Sequence, residues 1–318
     1  MSLGMFLEKF ARCILDNTAV RIVLESSVFR LCRLDAWLSW LIAFFTAALT
    51  APSEYRFQLV RLVLPTLAFC LMTASIFVLN QCFDIENDLA NKHKSGLPIA
   101  RGEISFRTGL VLTFFLVMTS LVMSPFVGRI FQTLMVAYLL LWLAYSHPKV
   151  HLKSKPVIDL IVAGVGAGFI PFFASWSAFA PSTSFPVMMG SALLLAQAGG
   201  HSVHIVIDRE ADCKVGLKTS AVRFGGNAVA RAGLILFLSS LGLFFASVLH
   251  GEVPLVIVAI PVAILPVAYT TISKYVVAIR GDAQELSRFA EMRRSLIYVQ
   301  VCMLAAFGLA FAAMLGGS

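Results

Sequence analysis

The sequence predicts an all-α polytopic membrane protein: nine transmembrane helices bundled around a central cavity, with short cytoplasmic cap helices and loops. Composition is the first reason. The 318 residues are 59% hydrophobic and 13% charged, where an average soluble domain carries about 25% charged residues. Mean hydropathy is +0.87. The second reason is a set of nine apolar runs, each long enough to span a bilayer as a helix of ~20 residues. The third is the distribution of Lys and Arg between those runs.

The runs lie near 36–51, 59–82, 106–124, 129–146, 157–178, 185–207, 229–249, 253–272 and 295–315. Backbone groups in lipid must find partners within their own segment, so the runs are expected as helices. The N-terminal stretch carries five Lys/Arg, and the connections after runs 2, 4, 6 and 8 carry four, three, five and five. The opposite connections hold only Arg56, Arg61 and Arg129. By the positive-inside rule the N-terminus and the basic connections face the cytoplasm. The net charge of +8 therefore reads as topology, with a share left for an anionic substrate, and not as a nucleic-acid surface.

Residues 1–35 form a charged interfacial segment, with Phe6, Phe10 and Ile14 on one face of a candidate surface helix. Residues 36–318 form the membrane domain. The six cysteines are scattered, without CxxC or zinc spacing, as expected for isolated thiols. A charged connection with paired aspartates follows run 2 and another follows run 6, a weak internal repeat of two four-helix units plus a ninth helix.

Those two connections carry the chemistry. The first reads Asn80-Gln81-Cys82-Phe83-Asp84-Ile85-Glu86-Asn87-Asp88, and the second begins Asp208-Arg209-Glu210-Ala211-Asp212. Both hold DxxxD, and residues four apart share a helix face. The chain has eight aspartates, and random placement would give only about 0.2 such pairs. Mg²⁺ takes oxygen ligands and is usually held by one or two carboxylates together with substrate phosphates. Two facing pairs suit two or more Mg²⁺ ions around one diphosphate. Lys92, Lys94, Arg101, Lys153, Lys218 and Arg223 are the cations available to its oxygens.

At these residues the chain resembles the UbiA superfamily of intramembrane prenyltransferases. The likeness covers nine spans, NQxxDxxxD after run 2 and DxxxDxxxGxxT after run 6. A third element, Tyr145-Ser146-His147-Pro148-Lys149 with Leu152-Lys153 beyond it, follows run 4. The resemblance implies a membrane-bound enzyme that binds a prenyl diphosphate through Mg²⁺, ionises its C–O bond, and lets a hydrophobic aromatic acceptor attack the allylic cation. It implies metal or diphosphate ligation by Asn80, Asp84, Asp88, Asp208 and Asp212, a diphosphate contact from Lys153, and Tyr145 beside the reacting carbon. Three features are most similar to the homogentisate-type branch: Asn-Gln in the first motif, the 97–105 connection, and Gly-Leu-Lys-Thr at the end of motif two. The chain departs from the family where Leu97-Pro98 replaces Arg-Pro and where Arg33-Leu34-Asp35 stands before the first span. Both departures bear on the acceptor. A terpene cyclase acting without an acceptor, and transfer to a lipid or carotenoid, stay open beside the aromatic reading. A transporter fits less well, because the acids sit at one membrane face. The absence of an Arg/Ser-rich presequence favours a bacterial cytoplasmic membrane over an organelle.

Gln197, His201, His204 and Asp208 share one face of run 6. Polar groups inside a membrane are costly and line cavities or bond between helices. Either an acceptor pocket with a proton-accepting histidine or plain interhelical bonding accounts for them, and zinc is disfavoured. Asp159 is expected to pair with Lys155 one turn earlier, with a substrate contact as the other reading.

Overall fold

A computed structural model of the chain describes residues 26–50, 59–180, 184–253 and 265–281. Phe6, Phe10 and Ile14, the ninth run and the first part of the eighth lie outside them. All regular structure among the described residues is helical. In chain order the helices are α1 (Ser27–Cys32), α2 (Leu34–Thr50), α3 (Leu59–Phe83), α4 (Ile85–Ala90), α5 (Phe106–Val127) and α6 (Arg129–Ser146). There follow a 3₁₀ turn (Leu152–Ser154), α7 (Ile158–Gly164), a π turn (Val165–Phe169), α8 (Ile170–Phe179), α9 (Val187–Lys214), α10 (Ser220–Phe224), α11 (Gly226–Leu249) and α12 (Leu265–Arg280). The first seven expected runs correspond to α2, α3, α5, α6, α7–α8, α9 and α11, and the described part of the eighth to α12.

Five stretches are long and apolar enough to cross a membrane: Val63–Phe83, Phe106–Val127, Arg129–Ser146, Ile158–Phe179 and Gly226–Leu249. Among the described residues these five support a multi-pass helical chain; the ninth expected run and part of the eighth lie outside them. Helix α2 has only 17 residues, and α9 carries Gln197, His201 and His204 within its length.

Local chemistry explains several boundaries. Ser26, Ser105 and Thr219 cap α1, α5 and α10, their side chains accepting from the backbone N–H of Phe29, Thr108 and Val222. Helix α3 breaks after Phe83, and Asp84 stands at the start of α4 with φ −105° and ψ 17°. The two acids of the first motif therefore do not lie on one uninterrupted helix. Even so, the Asp88 N–H donates to the Asp84 carbonyl at 2.7 Å, so the four-residue relationship survives the break. The second motif behaves as expected, with Asp208 and Asp212 in the last two turns of α9.

Lipid supplies little hydrophobic drive for helix association, so close packing through small residues has to hold the bundle. Helix α9 packs along α11 and α3 along α5, each motif-bearing helix against the next long one. A Cβ on Gly164 would come 2.8 Å from the Leu194 carbonyl, and one on Gly168 would collide with that of Leu193. These two glycines let the α7–α8 rod lie against the backbone of α9. Gly166 leaves room for Trp142, whose indole would be 2.8 Å from an added Cβ. The π turn at this point is the kind of helix defect that gathers near functional sites.

Trp142 belongs to an aromatic column. It stacks on Trp40 with centroids 4.8 Å apart and meets Tyr145 edge-on at 5.1 Å. Deeper in the bundle Phe44 stacks on Phe69 at 4.8 Å, and Phe69 touches Tyr138 at 5.6 Å. Phe44 and Phe172 are fully buried, so they belong to the core rather than to the lipid face.

Candidate active site

The C-terminal ends of α3, α6 and α9 and the connections that follow them bring the three motifs together. Asn80, one turn before Asp84, donates through Nδ2 to Asp84 Oδ2 at 2.8 Å and to Ser146 Oγ at 3.1 Å. The other oxygen of Asp84 accepts from Lys153 Nζ in a buried ion pair. Motif one and the third element thus meet at Asp84. His151, in a left-handed conformation with φ 49°, turns the chain into the 3₁₀ turn that carries Lys153.

Asp208 is held from the opposite side. Asn91 Nδ2 donates to its Oδ1 at 2.7 Å, and Lys94 Nζ reaches its Oδ2 at 2.7 Å. Both donors come from the connection after the first motif, so that connection bridges the two aspartate clusters. Burial alone would pull the Lys94 ammonium down, but Asp208 and then Asp88 outweigh it and raise its pKa. Asp88 is 3% exposed. Burial is the main reason its carboxyl is pushed up to about 6, with Lys94 pulling the other way and Asp84 adding to the rise. Asp212 is buried and accepts from Thr219 Oγ1 at 3.3 Å, a bond within the second motif.

Asp159 does not pair with Lys155. Its Oδ2 accepts from the Ser220 N–H at 2.7 Å and its Oδ1 from Ser220 Oγ at 2.5 Å. Ser220 Oγ also accepts from the Val157 N–H at 2.7 Å, and the Lys218 N–H donates to Ser154 Oγ at 3.0 Å. This clasp docks the glycine-containing end of motif two onto the turn that carries Lys153. A fully buried carboxylate needs such donors. A backbone N–H and a hydroxyl at the start of α10 supply what a flexible lysine would not.

The remaining candidates divide. Tyr145 OH lies 3.1 Å from His201 Nε2, an interhelical bond between α6 and α9, and the His201 and His204 rings are 6.5 Å apart. Gln197 is partly buried on the same helix. Arg101 is not brought to the aspartates: it pairs with Glu103 at 3.3 Å, and its side chain is 57% exposed. Lys92, Lys218 and Arg223 are exposed.

Sequence reasoning missed Asn91, Ser146 and Ser220, and assigned no site role to Gln81 or Arg33. Gln81 is fully buried, and its amide donates to the carbonyls of Arg30 and Leu31 at 3.2 and 2.6 Å, tying α1 down beside the first motif. Arg33, noted only as a departure, is 9% exposed, lies 5.8 Å over the Phe77 ring and helps hold the Asp88 pKa down. A polar residue three positions beyond the second acid was the one available signal for Asn91.

The donor set suits a hard cation. The four motif acids offer only oxygen, and Asn87 Oδ1, next to Asp88, is buried without a hydrogen-bond partner among the described residues. Among the described residues no three His, Cys, Asp or Glu side chains converge to hold an ion by themselves. Mg²⁺ is commonly held by one or two carboxylates and completes its shell with phosphate oxygens.

A family model described as the UbiA prenyltransferase family matches residues 38–297. The chain belongs to that family. It is similar to a digeranylgeranylglyceryl phosphate synthase of Korarchaeum cryptofilum, 30% identical over 189 residues, which is 59% of this chain and 64% of that protein. It is also similar to a chloroplastic 2-acyl-4-prenylphloroglucinol 6-prenyltransferase of Humulus lupulus, 30% identical over 172 residues, 50% of this chain and 41% of the relative. The chain therefore spans less than two thirds of the length of either relative. Among solved structures, a UbiA homologue from Archaeoglobus fulgidus bound to GPP and Mg²⁺ superposes with a TM-score of 0.75 at 25% identity, covering 91% of this chain and 100% of that one. UbiA membership accords with the helical bundle seen among the described residues.

Proposed function

We propose that this UbiA-family chain transfers a prenyl group from a prenyl diphosphate to an aromatic acceptor, a phenol or quinone precursor, within the membrane and releases pyrophosphate. The observation that carries the reading is the convergence of both aspartate motifs on Lys94 and Lys153, which gives one site with anionic ligands for metal and cations for phosphate. The likeness to a structure holding GPP and Mg²⁺ supports it.

Mg²⁺ bound to Asp84, Asp88, Asp208 and Asp212, with Asn80 beside them, would supply charge neutralisation of the leaving group. The chain's own residues do the rest. Lys153 and Lys94 place ammonium groups where diphosphate oxygens arrive. As the allylic C–O bond breaks, its electron pair leaves with the diphosphate, and the positive carbon faces the Tyr145 ring, whose π face attracts cations. The apolar helices exclude water that would otherwise capture the cation. A ring carbon of the acceptor forms the new C–C bond and then loses its proton. His201, bonded to Tyr145 at 3.1 Å, accepts it. Gln197 and His204 border the acceptor on α9. Lys218 and Arg223 are exposed cations at the mouth that attract the incoming diphosphate. The N-terminus and the site face the cytoplasm of a bacterial membrane.

A second reading takes a lipid acceptor, favoured by the similarity to a digeranylgeranylglyceryl phosphate synthase. Purified protein incubated with geranylgeranyl diphosphate and Mg²⁺, with and without a panel of phenols and glycerol phosphate lipids, separates the readings. Pyrophosphate release that needs a phenol and yields a prenylated ring supports the proposal. A prenylated lipid moves the assignment to the second reading. Release without any acceptor, giving a hydrocarbon or terpene alcohol, makes the protein a cyclase or hydrolase.

A further inference from the structure

The leading aspartates of both motifs are already spoken for. Asp84 gives one oxygen to Asn80 and the other to Lys153. Asp208 gives one to Asn91 and the other to Lys94. Both lysines are largely withdrawn from water, with side chains 9% and 19% exposed. An ion arriving alone would have to displace a buried ammonium, leaving that ammonium without a partner, and breaking a buried pair on one side is costly. It would also have to shed water, which Mg²⁺ does reluctantly. A diphosphate arriving alone would meet four carboxylates, with Lys94 and Lys153 already paired to two of them.

We propose that magnesium and the diphosphate enter this site together, because Lys94 and Lys153 hold the leading aspartates until diphosphate oxygens take over their ammonium groups. The inference rests on the prenyl diphosphate reading of the same site. When both ligands arrive, each lysine trades a carboxylate oxygen for a phosphate oxygen and keeps a charge-assisted hydrogen bond. Each freed carboxylate gains a metal ion in exchange. Asn80 and Asn91 keep hold of their aspartates through the exchange and so position the oxygens that the lysines vacate. Neither ligand gains this exchange without the other, so the two bind with positive coupling, and the coupling is reciprocal.

The test is equilibrium dialysis of Mn²⁺, as a probe for Mg²⁺, against detergent-purified full-length protein, with bound ion counted by electron paramagnetic resonance. Dialysis is repeated with saturating geranyl S-thiolodiphosphate, which resists ionisation. Wild-type protein is expected to gain at least about tenfold in Mn²⁺ affinity when the analogue is present. The Lys94→Met, Lys153→Met double variant is expected to bind Mn²⁺ without the analogue more tightly than wild type does, because its carboxylates have lost their internal cations. If wild type binds Mn²⁺ equally with and without the analogue, the coupling is overturned while the diphosphate reading stands. If wild type binds neither ligand under any combination, the diphosphate reading falls and this inference with it. The wild-type comparison decides the matter even if the double variant does not fold.

Discussion

Asn91 and Asp208 stand 117 residues apart in sequence, and the Asn91 amide donates to Asp208 Oδ1 at 2.7 Å. This bond joins the connection after the first motif to the helix that carries the second. It ties the two aspartate clusters together.

Asn91→Ala removes a hydrogen bond to a charged group, worth about 1.5–3 kcal/mol. The expected result is a loss of roughly 10- to 100-fold in kcat/KM for the diphosphate, with helix content unchanged by circular dichroism. A change below twofold would show that Asp208 is positioned by other groups.

Tyr145 separates ring from hydroxyl. If its ring face stabilises the developing cation, Tyr145→Phe keeps kcat within a few fold, and Tyr145→Ala loses roughly 30-fold, matching the ~2 kcal/mol of a desolvated cation–π contact. A large loss in Phe equal to that in Ala would instead assign the role to the hydroxyl and its bond to His201. Steady-state pyrophosphate release reads both.

The motifs and their spacing were legible because chemistry confines them to particular residue types. Asp84, Asp88, Asp208, Asp212, Asn80 and Lys153 could be named from the sequence, and the structure brings Asn80, Asp84 and Lys153 into direct contact. The apolar runs could be named as well, since lipid requires them. Pairings decided by tertiary structure were not legible. Asp159 had Lys155 as a local partner on paper, yet it takes Ser220, sixty-one residues away. Arg101 had the right charge and connection but turns to Glu103. Nor does Gln81 differ in sequence from a ligand such as Asn80, although it bonds to the carbonyls of Arg30 and Leu31. The break in the helix at Asp84, which decides where neighbouring side chains point, has no glycine or proline to announce it.

Asp159 clasps the end of motif two, so Asp159→Ala leaves the Ser220 N–H and hydroxyl without their acceptor. A loss of about 1–3 kcal/mol is expected for each buried group left unsatisfied. Thermal unfolding in detergent should show a clear fall in Tm, and amide exchange at 215–221 should speed up. Unaltered exchange there would contradict the clasp.

Gly166→Ala places a methyl group 2.8 Å from the Trp142 indole. Overpacking of this kind costs typically about 1–3 kcal/mol, and here it also pushes on the residue that backs the Tyr145 ring. Lower Tm together with reduced kcat is expected. Paired substitution with Trp142→Phe should recover part of the stability, and no recovery would show that the two positions do not press on each other.

The most direct test of the account is pyrophosphate release by Asp84→Asn and Asp208→Asn, compared with wild type, using geranylgeranyl diphosphate, Mg²⁺ and an acceptor that wild type accepts. Each substitution keeps side-chain volume and removes the charge that binds the ion. If the two motifs form one metal–diphosphate site, both variants fold and both lose turnover by roughly a hundred- to a thousandfold, the scale of removing an electrostatic element of a transition state. Turnover within a few fold of wild type in either variant would contradict the account.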